Sequence, residues 1–282
     1  MSTATVRVVC VVYHPGPELD DLARSLATAG GGVELVIVDN GTDQSRSRAV
    51  ADGHGARLVV PGANLGYGGA ANAGAAGAQT PWLLVCNSDL VWEPGSLDVL
   101  LAAAGSTPHV GSAGPALLNP DGTVYPSARE LPSLTQGVGH ALLVRAWPGN
   151  PWTRAYQARQ ETAGGARAAG WLSGACLLLR REAFEQVGGF DRGYFMFFED
   201  VDLGERLARA GWTNLYVPAA RVTHIGGTSW HSRPAPMIRA HHASAYRYLA
   251  RRYHRWYHAP VRWALRAGLA ARRTWEIRAA SR

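Results

Sequence analysis

Lysine is absent from this chain of 282 residues; all 28 of its basic residues are arginine. We read this as compositional bias, so arginine in place of lysine carries no functional meaning by itself. Cysteine is scarce as well. Cys10, Cys86 and Cys176 are odd in number, and two of them lie in apolar runs, which excludes a disulfide scaffold and suggests buried thiols in a reducing compartment. No apolar run approaches the ~20 residues a bilayer span needs; the longest are Val8–Tyr13 and Trp171–Leu179. The start, Met1–Thr5, is polar and lacks the basic segment and apolar stretch of a signal peptide, so Val6–Tyr13 reads as a first strand and a cytoplasmic location is expected. Charged residues make up only 17% against 47% apolar, which excludes general disorder.

Acidic residues are nearly missing from one end. Residues 1–220 hold 15 arginines and 20 acids; residues 221–282 hold 13 arginines and one acid, Glu276. A mildly acidic body with a strongly basic tail implies an anionic partner for the tail.

The first 118 residues alternate between short apolar runs and helical stretches. Strands are expected at Val6–Tyr13, Val33–Val38, Arg57–Val60, Trp82–Cys86 and Val110–Leu118, and helices at Glu18–Ala29, Ser45–Asp52, Gly66–Ala78 and Gly95–Ala104. That rhythm predicts an α/β fold, a mostly parallel sheet flanked by helices, with ligands beyond the carboxyl ends of the strands. Asp39-Asn40, Asn64 and Asn87-Ser88-Asp89 all fall at or just past such ends. Residues 119–169 carry five prolines and break the rhythm, as a substrate wall or lid would. Regularity returns with a strand at Trp171–Arg180, helices at Arg181–Val187 and Glu199–Ala210, a strand at Thr213–Val217 and a separate short segment at Val222–Gly227. This divides one domain into halves at residues 1–118 and 119–228 and leaves 229–282 as a basic, aromatic-rich helical tail.

In the tail, Tyr246, Leu249, Tyr253 and Trp256 recur at helical spacing with Arg247, Arg251, Arg252 and Arg255 between them. Pro260 breaks the run, and Trp263, Leu265, Leu269 and Trp275 follow with further arginines. Two basic amphipathic C-terminal helices rich in Trp and Tyr suit an anionic membrane surface. The competing reading packs the aromatics on the body and leaves the arginines solvated.

Three clusters can carry chemistry. Asn87-Ser88-Asp89 ends a strand, where a carboxylate can hold a divalent cation bridging a diphosphate, or can simply make a turn. Phe198-Glu199-Asp200-Val201-Asp202 opens a helix after an aromatic wall. Its acids serve either as helix caps or as a tuned general base. His224 closes a strand-like segment, as a structural histidine or, with Asp89 nearby, as a metal ligand. The stretch Gly66-Tyr67-Gly68-Gly69-Ala70-Ala71 contains a Gly-x-Gly-x-x-Ala pattern. It follows the third strand through a long connection, which argues against a dinucleotide fingerprint and for a backbone that approaches a nucleotide or sugar.

The ordered set Val38-Asp39-Asn40-Gly41, Asn64-Leu65-Gly66-Tyr67-Gly68, Asn87-Ser88-Asp89, Trp171-Leu172-Ser173-Gly174-Ala175-Cys176, Gly188-Gly189-Phe190-Asp191 and Phe198-Glu199-Asp200-Val201-Asp202-Leu203 resembles the family 2 inverting glycosyltransferases of GT-A fold, over roughly residues 6–228. Tyr125-Pro126-Ser127-Ala128-Arg129, Asn150-Pro151-Trp152-Thr153 and the Arg/Trp-rich tail are similar to the mycobacterial-type rhamnosyltransferases within it. The resemblance implies transfer of L-rhamnose from dTDP-L-rhamnose to the 3-OH of N-acetylglucosaminyl-diphospho-polyprenol in cell-wall linker (arabinogalactan) synthesis, by an enzyme peripheral on the inner face of the cell membrane. It implies Tyr13, Asp39, Asn64, Gly66, Gly68, Asn87 and Ser88 as donor-binding residues, and Asp89 and His224 as ligands of Mg²⁺ or Mn²⁺. It implies Asp200 as catalytic base, and Trp171, Ser173, Gly174 and Glu199 on the acceptor side, with residues 1–118 as the nucleotide-sugar-binding half and 119–228 as the acceptor-binding and catalytic half of the same domain. Asn87 stands where the family usually has the first Asp of its metal motif, which leaves Asp89 as the charged ligand. Two alternatives follow from the same residues: a family 2 transferase with another sugar or acceptor, and, from the imperfect metal motif, a non-catalytic membrane-surface nucleotide-sugar-binding protein. No nucleic-acid-binding module is found.

Overall fold

A computed structural model of the chain describes residues 5–132, 165–226 and 234–280. Asn150-Pro151-Trp152-Thr153 and most of the expected wall or lid lie outside the described residues. Twelve strands are described: β1 (Val6–Val12), β2 (Val33–Asp39), β3 (Arg57–Val59), β4 (Trp82–Asn87), β5 (Leu90–Trp92), β6 (Val110–Leu118), β7 (Val124–Tyr125), β8 (Ala128–Arg129), β9 (Arg167–Ala169), β10 (Trp171–Leu172), β11 (Cys176–Arg180) and β12 (Thr213–His224). The described helices are α1 (Glu18–Ala29), α2 (Ser45–His54), α3 (Gly66–Ala75), α4 (Ser96–Ser106), α5 (Arg181–Gln186), α6 (Glu199–Arg209), α7 (Pro234–Arg252) and α8 (Ala259–Ala280), with a 3₁₀ turn at Trp256–His258 between the last two.

The main sheet runs β3-β2-β1-β4-β11-β6-β12-β5, with β7 on β6 and β9 on β12; β8 and β10 form a separate pair. Every residue of β1 is buried, because helices cover both faces and alternation would waste one of them. Strands β3, β2, β1 and β4 are parallel, whereas β11 enters antiparallel between β4 and β6. Cys176 pairs with Cys86, so the beginning of β11 lies beside the carboxyl end of β4. Strand β12 is parallel to β6, and its end, His224, pairs with Leu90 of β5. These directions gather Asp39, Asn87, Ser173–Ala175 and His224 at one end of the sheet.

The structure corrects several sequence expectations. Trp171–Arg180 is two strands, because Ser173-Gly174-Ala175 turns the chain from the β8–β10 pair into the main sheet. Val222–Gly227 is no separate segment: its first residues continue β12 after a bulge between Val217 and Arg221 that hid the continuity. Leu90–Trp92 forms a short strand that its length concealed. Pro260 stands in the first turn of α8, where a missing N–H costs nothing, and the break falls before it.

Helix α7 packs on the body: Tyr248 is buried with Tyr194 and Val201, and Ser244 Oγ donates to the Met196 carbonyl at 2.8 Å. Arg247 reaches both oxygens of Asp191 (3.2 and 3.0 Å), Arg251 also binds Asp191, and Arg252 reaches Glu205 at 3.5 Å. Asp191, beside the Gly188-Gly189 stop, therefore anchors the tail. The pair is partly exposed and screened, so Asp191→Asn is expected to lower stability by only ~1 kcal/mol, more at low salt than at high. Urea denaturation at two ionic strengths checks this; a loss independent of salt would contradict it.

Candidate active site

Asp200 sits at the start of α6, after a turn in which Phe197 and Phe198 both take positive φ (67° and 64°). Bulky residues rarely adopt that conformation, and two in succession need outside support. His241 of α7 supplies some, its ring 5.5 Å from that of Phe197 and 5.6 Å from that of Phe198. The turn aims Asp200 at the residue 173–175 turn. There Gly174 N–H donates to Asp200 Oδ2 at 2.9 Å, while Val201 N–H donates to Oδ1 at 2.8 Å. A Cβ on Gly174 would lie 3.4 Å from Asp200 Cβ, an ordinary contact, so the approach itself does not depend on glycine.

The same turn leads to the second carboxylate. Asn87 N–H donates to the Ala175 carbonyl at 3.0 Å. Past Asn87, His224 Nε2 stands 3.2 Å from Asp89 Oδ1 and 3.4 Å from Asn87 Nδ2. Ile225 N–H donates to the Asp89 carbonyl, closing β12 against the motif. One three-residue turn thus touches both Asp200 and Asn87, two residues before Asp89, although 111 positions separate the two aspartates in the chain.

Electrostatics separate the acids. Burial by itself raises the Asp89 carboxyl, but the His224 ring and backbone N–H groups outweigh it and hold it below the ordinary range. Burial raises Asp200; the N–H groups of Gly174 and Val201 and the charge of Arg129 pull back. Glu199 is 6% exposed, its Oε2 has no partner, and burial with the neighbouring Asp200 charge pushes it up to about 8. Asp200 has donors that Glu199 lacks, so at neutral pH Asp200 is the ionised member and Glu199 the neutral one. Glu199, expected on the acceptor side, is buried, with its Cβ 3.5 Å from where a Cβ on Gly68 of α3 would stand.

Asp89 and His224 offer one carboxylate oxygen and one imidazole nitrogen, with the Asn87 side chain beside them. Among the described residues no cluster of three His, Cys, Asp or Glu side chains is found. A divalent cation that keeps one or two protein ligands and takes diphosphate oxygens for the rest fits this pair.

The expected donor residues lie at the same end with different freedom. Tyr13 is exposed and edge-on to His14 at 4.3 Å. Asp39 is 1% exposed, its oxygens taken by Ser47 Oγ at 2.5 Å and Gly41 N–H at 2.7 Å, so it braces its loop. Asn64 is exposed and accepts from Gly66 N–H at 2.9 Å. Asn87 and Ser88 are half-buried. The glycines correct an expectation in part: a Cβ on Gly66 would lie 2.0 Å from the Phe195 carbonyl, and one on Gly68 2.8 Å from Phe190 Cβ. The close approach they permit is to the Phe190–Phe195 loop.

On the opposite wall, Trp171 is half-buried, donates Nε1–H to the Glu130 carbonyl at 3.1 Å and has the Arg129 guanidinium 5.6 Å from its ring. Ser173 N–H donates to the Ser127 carbonyl at 2.7 Å. Sequence reasoning assigned no role to Arg129 or Tyr67. Tyr67 OH donates to the Gly174 carbonyl at 2.5 Å, tying α3 to the turn that holds Asp200. Only its place between two glycines hinted at this, and Arg129 lies in a segment without periodicity.

Residues 4–259 match the model of the family described as glycosyltransferase like family 2. The N-acetylglucosaminyl-diphospho-decaprenol L-rhamnosyltransferase of Mycobacterium tuberculosis is 48% identical over 294 residues, spanning 99% of this chain and 95% of that protein. Rhamnosyltransferase WbbL of Escherichia coli K12 is 43% identical over 82 residues, 29% of this chain and 31% of that protein. Among solved structures, the mannosyltransferase PcManGT of Pyrobaculum calidifontis with GDP-Man and Mn²⁺ has a TM-score of 0.58 at 18% identity, covering 99% of this chain and 73% of that one. GalNAc-T7 with UDP, GalNAc and Mn²⁺ also has a TM-score of 0.58, at 16% identity, covering 80% of this chain and 44% of that one. At these identities the two structures establish the fold alone.

Proposed function

The chain belongs to family 2 of the glycosyltransferases, with the GT-A fold, and from that premise we propose that it transfers L-rhamnose from dTDP-L-rhamnose to the 3-OH of a polyprenyl-diphosphate-linked N-acetylglucosamine. The observation that supports the reading is the turn at residues 173–175, whose Gly174 N–H meets the Asp200 carboxylate and whose Ala175 carbonyl meets the backbone of Asn87, two residues before Asp89. The near-full-length likeness to the mycobacterial enzyme supports the sugar and the acceptor.

In this reaction Asp200 accepts the proton of the acceptor hydroxyl. That oxygen forms its bond to the anomeric carbon on the face opposite the leaving group, and the carbon–oxygen bond to dTDP breaks with its electron pair on the diphosphate. One displacement inverts the centre, so a β-linked donor gives an α-rhamnoside. Asp89 and His224 would hold a Mg²⁺ or Mn²⁺ ion; when bound, it supplies charge neutralisation for the departing diphosphate. The Arg129 charge adds to the N–H groups of Gly174 and Val201 in favouring the ionised form of Asp200 against its burial.

The acceptor's lipid tail places it in a bilayer, and no described helix is long and apolar enough to cross one. We assign the reach to the membrane to α8 and the turn before it. Trp256, Trp263 and Trp275 are 85%, 70% and 56% exposed there among arginines, which suits peripheral attachment to an anionic surface.

Purified protein with dTDP-rhamnose and a lipid-linked N-acetylglucosamine analogue is expected to give an α-rhamnoside, read by product mass and anomeric configuration. Chelation should abolish turnover, and added Mn²⁺ or Mg²⁺ should restore it. Asp89→Asn should raise the metal concentration needed for half-maximal rate by at least ~10-fold, the usual scale for disturbing a metal's surroundings. Transfer from UDP-sugars with dTDP-rhamnose inert would overturn the donor assignment.

A further inference from the structure

Helices α7 and α8 enclose a groove that sugar transfer does not use. One cavity of about 220 Å³ is lined by His242, Tyr246, Arg266, Leu269 and Arg273. A second, of about 480 Å³, opens beside it against Arg239 and Arg273. Arg273 borders both.

The charges in this groove are not balanced. Glu276, the one acid of the tail, accepts from Arg272 Nε at 2.7 Å through Oε1, and its Oε2 lies 3.7 Å from the buried His242 Nε2. His242 Nδ1–H in turn donates to the Ile238 carbonyl at 2.9 Å. Arg239, Arg266 and Arg273 are exposed and meet no carboxylate among the described residues. Arg266 and Arg273 line the first cavity and Arg239 and Arg273 the second; like charges lining adjoining cavities repel one another, and an anion bound among them relieves that repulsion. Their planar forks match phosphate oxygens two at a time. Half-buried Tyr246 and Leu269 give the groove an apolar lining, and α8, which forms one of its walls, also carries the exposed Trp263 and Trp275.

We propose that the groove between α7 and α8 is a discrete site for the phosphate of an anionic phospholipid headgroup, held by Arg239, Arg266 and Arg273. The proposal rests on the membrane-surface reading and narrows it from diffuse attraction to one site.

The test uses the full chain with phosphatidylcholine vesicles carrying either phosphatidylglycerol or a fatty acid at matched surface charge. Diffuse attraction predicts that each lost arginine weakens binding by about fivefold wherever it lies. A discrete site predicts a loss of at least ~10-fold for Arg273→Gln, more than for Arg255→Gln outside the groove. It also predicts that wild type prefers phosphatidylglycerol over the charge-matched fatty acid, and that Arg273→Gln abolishes the preference. Equal losses for the two variants would overturn the site and leave diffuse attraction standing. Failure of wild type to bind either vesicle would overturn the membrane reading as well. Inorganic phosphate filling the groove as tightly as the lipid, or a single-stranded oligonucleotide binding more tightly than the vesicles, would overturn the lipid assignment.

Discussion

Asp200→Asn is expected to lower turnover by at least ~100-fold while dTDP binding stays close to that of wild type. A positioned general base contributes ~10²–10⁴ in rate, about 3–5 kcal/mol of barrier. The amide is isosteric, and its oxygen can still accept one of the N–H groups from Gly174 and Val201 that hold the carboxylate. The loss should therefore appear in kcat rather than in folding or donor affinity, which steady-state kinetics and nucleotide titration separate. The ionised form is the working one, and burial raises the Asp200 pKa. Wild-type turnover should fall as pH drops through that raised value, at a higher pH than an exposed aspartate would give. Near-normal turnover in Asp200→Asn would remove the base assignment.

Glu199→Gln should stabilise the protein, and more so as pH rises. In the folded state this carboxyl keeps its proton up to about 8, against an ordinary value of 4.5. The unfolded chain releases its proton first. Stability is therefore full below about 4.5, declines as pH rises toward about 8, and levels off above. At pH 7 holding a proton that the unfolded chain has lost costs about 3 kcal/mol. Glutamine never incurs this cost, so the variant's advantage should be near that size at pH 7 and small at pH 5, measured by urea denaturation at both. A gain that does not grow with pH would show that Glu199 is ionised in the folded state. Rate would then need re-examination, since the neutrality of Glu199 leaves Asp200 as the local anion.

Two features of the body explain why these neighbouring acids differ. Glu199 faces α3 and the Gly68 backbone, where nothing donates to Oε2. Asp200 faces the residue 173–175 turn, which donates Gly174 N–H. One position along a helix start separates a carboxyl oxygen buried without a partner from a carboxylate that accepts two N–H groups. Nothing in Phe198-Glu199-Asp200 by itself distinguishes them; by residue type both are equally good caps and equally good bases.

Much of the framework follows from the order of residues alone. The buried runs at Val6–Val12, Val33–Asp39, Trp82–Asn87 and Val110–Leu118 can only be strands shielded on both faces, and the helical stretches between them supply the shielding. The pairs Asp202–Arg206 and Glu205–Arg209 were legible for the same reason: helical spacing fixes their neighbours. The basic tail was legible as charge. Tertiary structure decided everything that depends on strand direction and on which surface a helix meets. It ran β11 antiparallel, and so carried Gly174 and Ala175 to the end of β4, where one meets Asp200 and the other Asn87. It also split the tail into a packed α7 and an exposed α8, and it turned Glu199 inward. Periodicity is a local property, set by the geometry of each element; contacts between residues more than a hundred positions apart are set by how whole elements share one core, which no local pattern encodes.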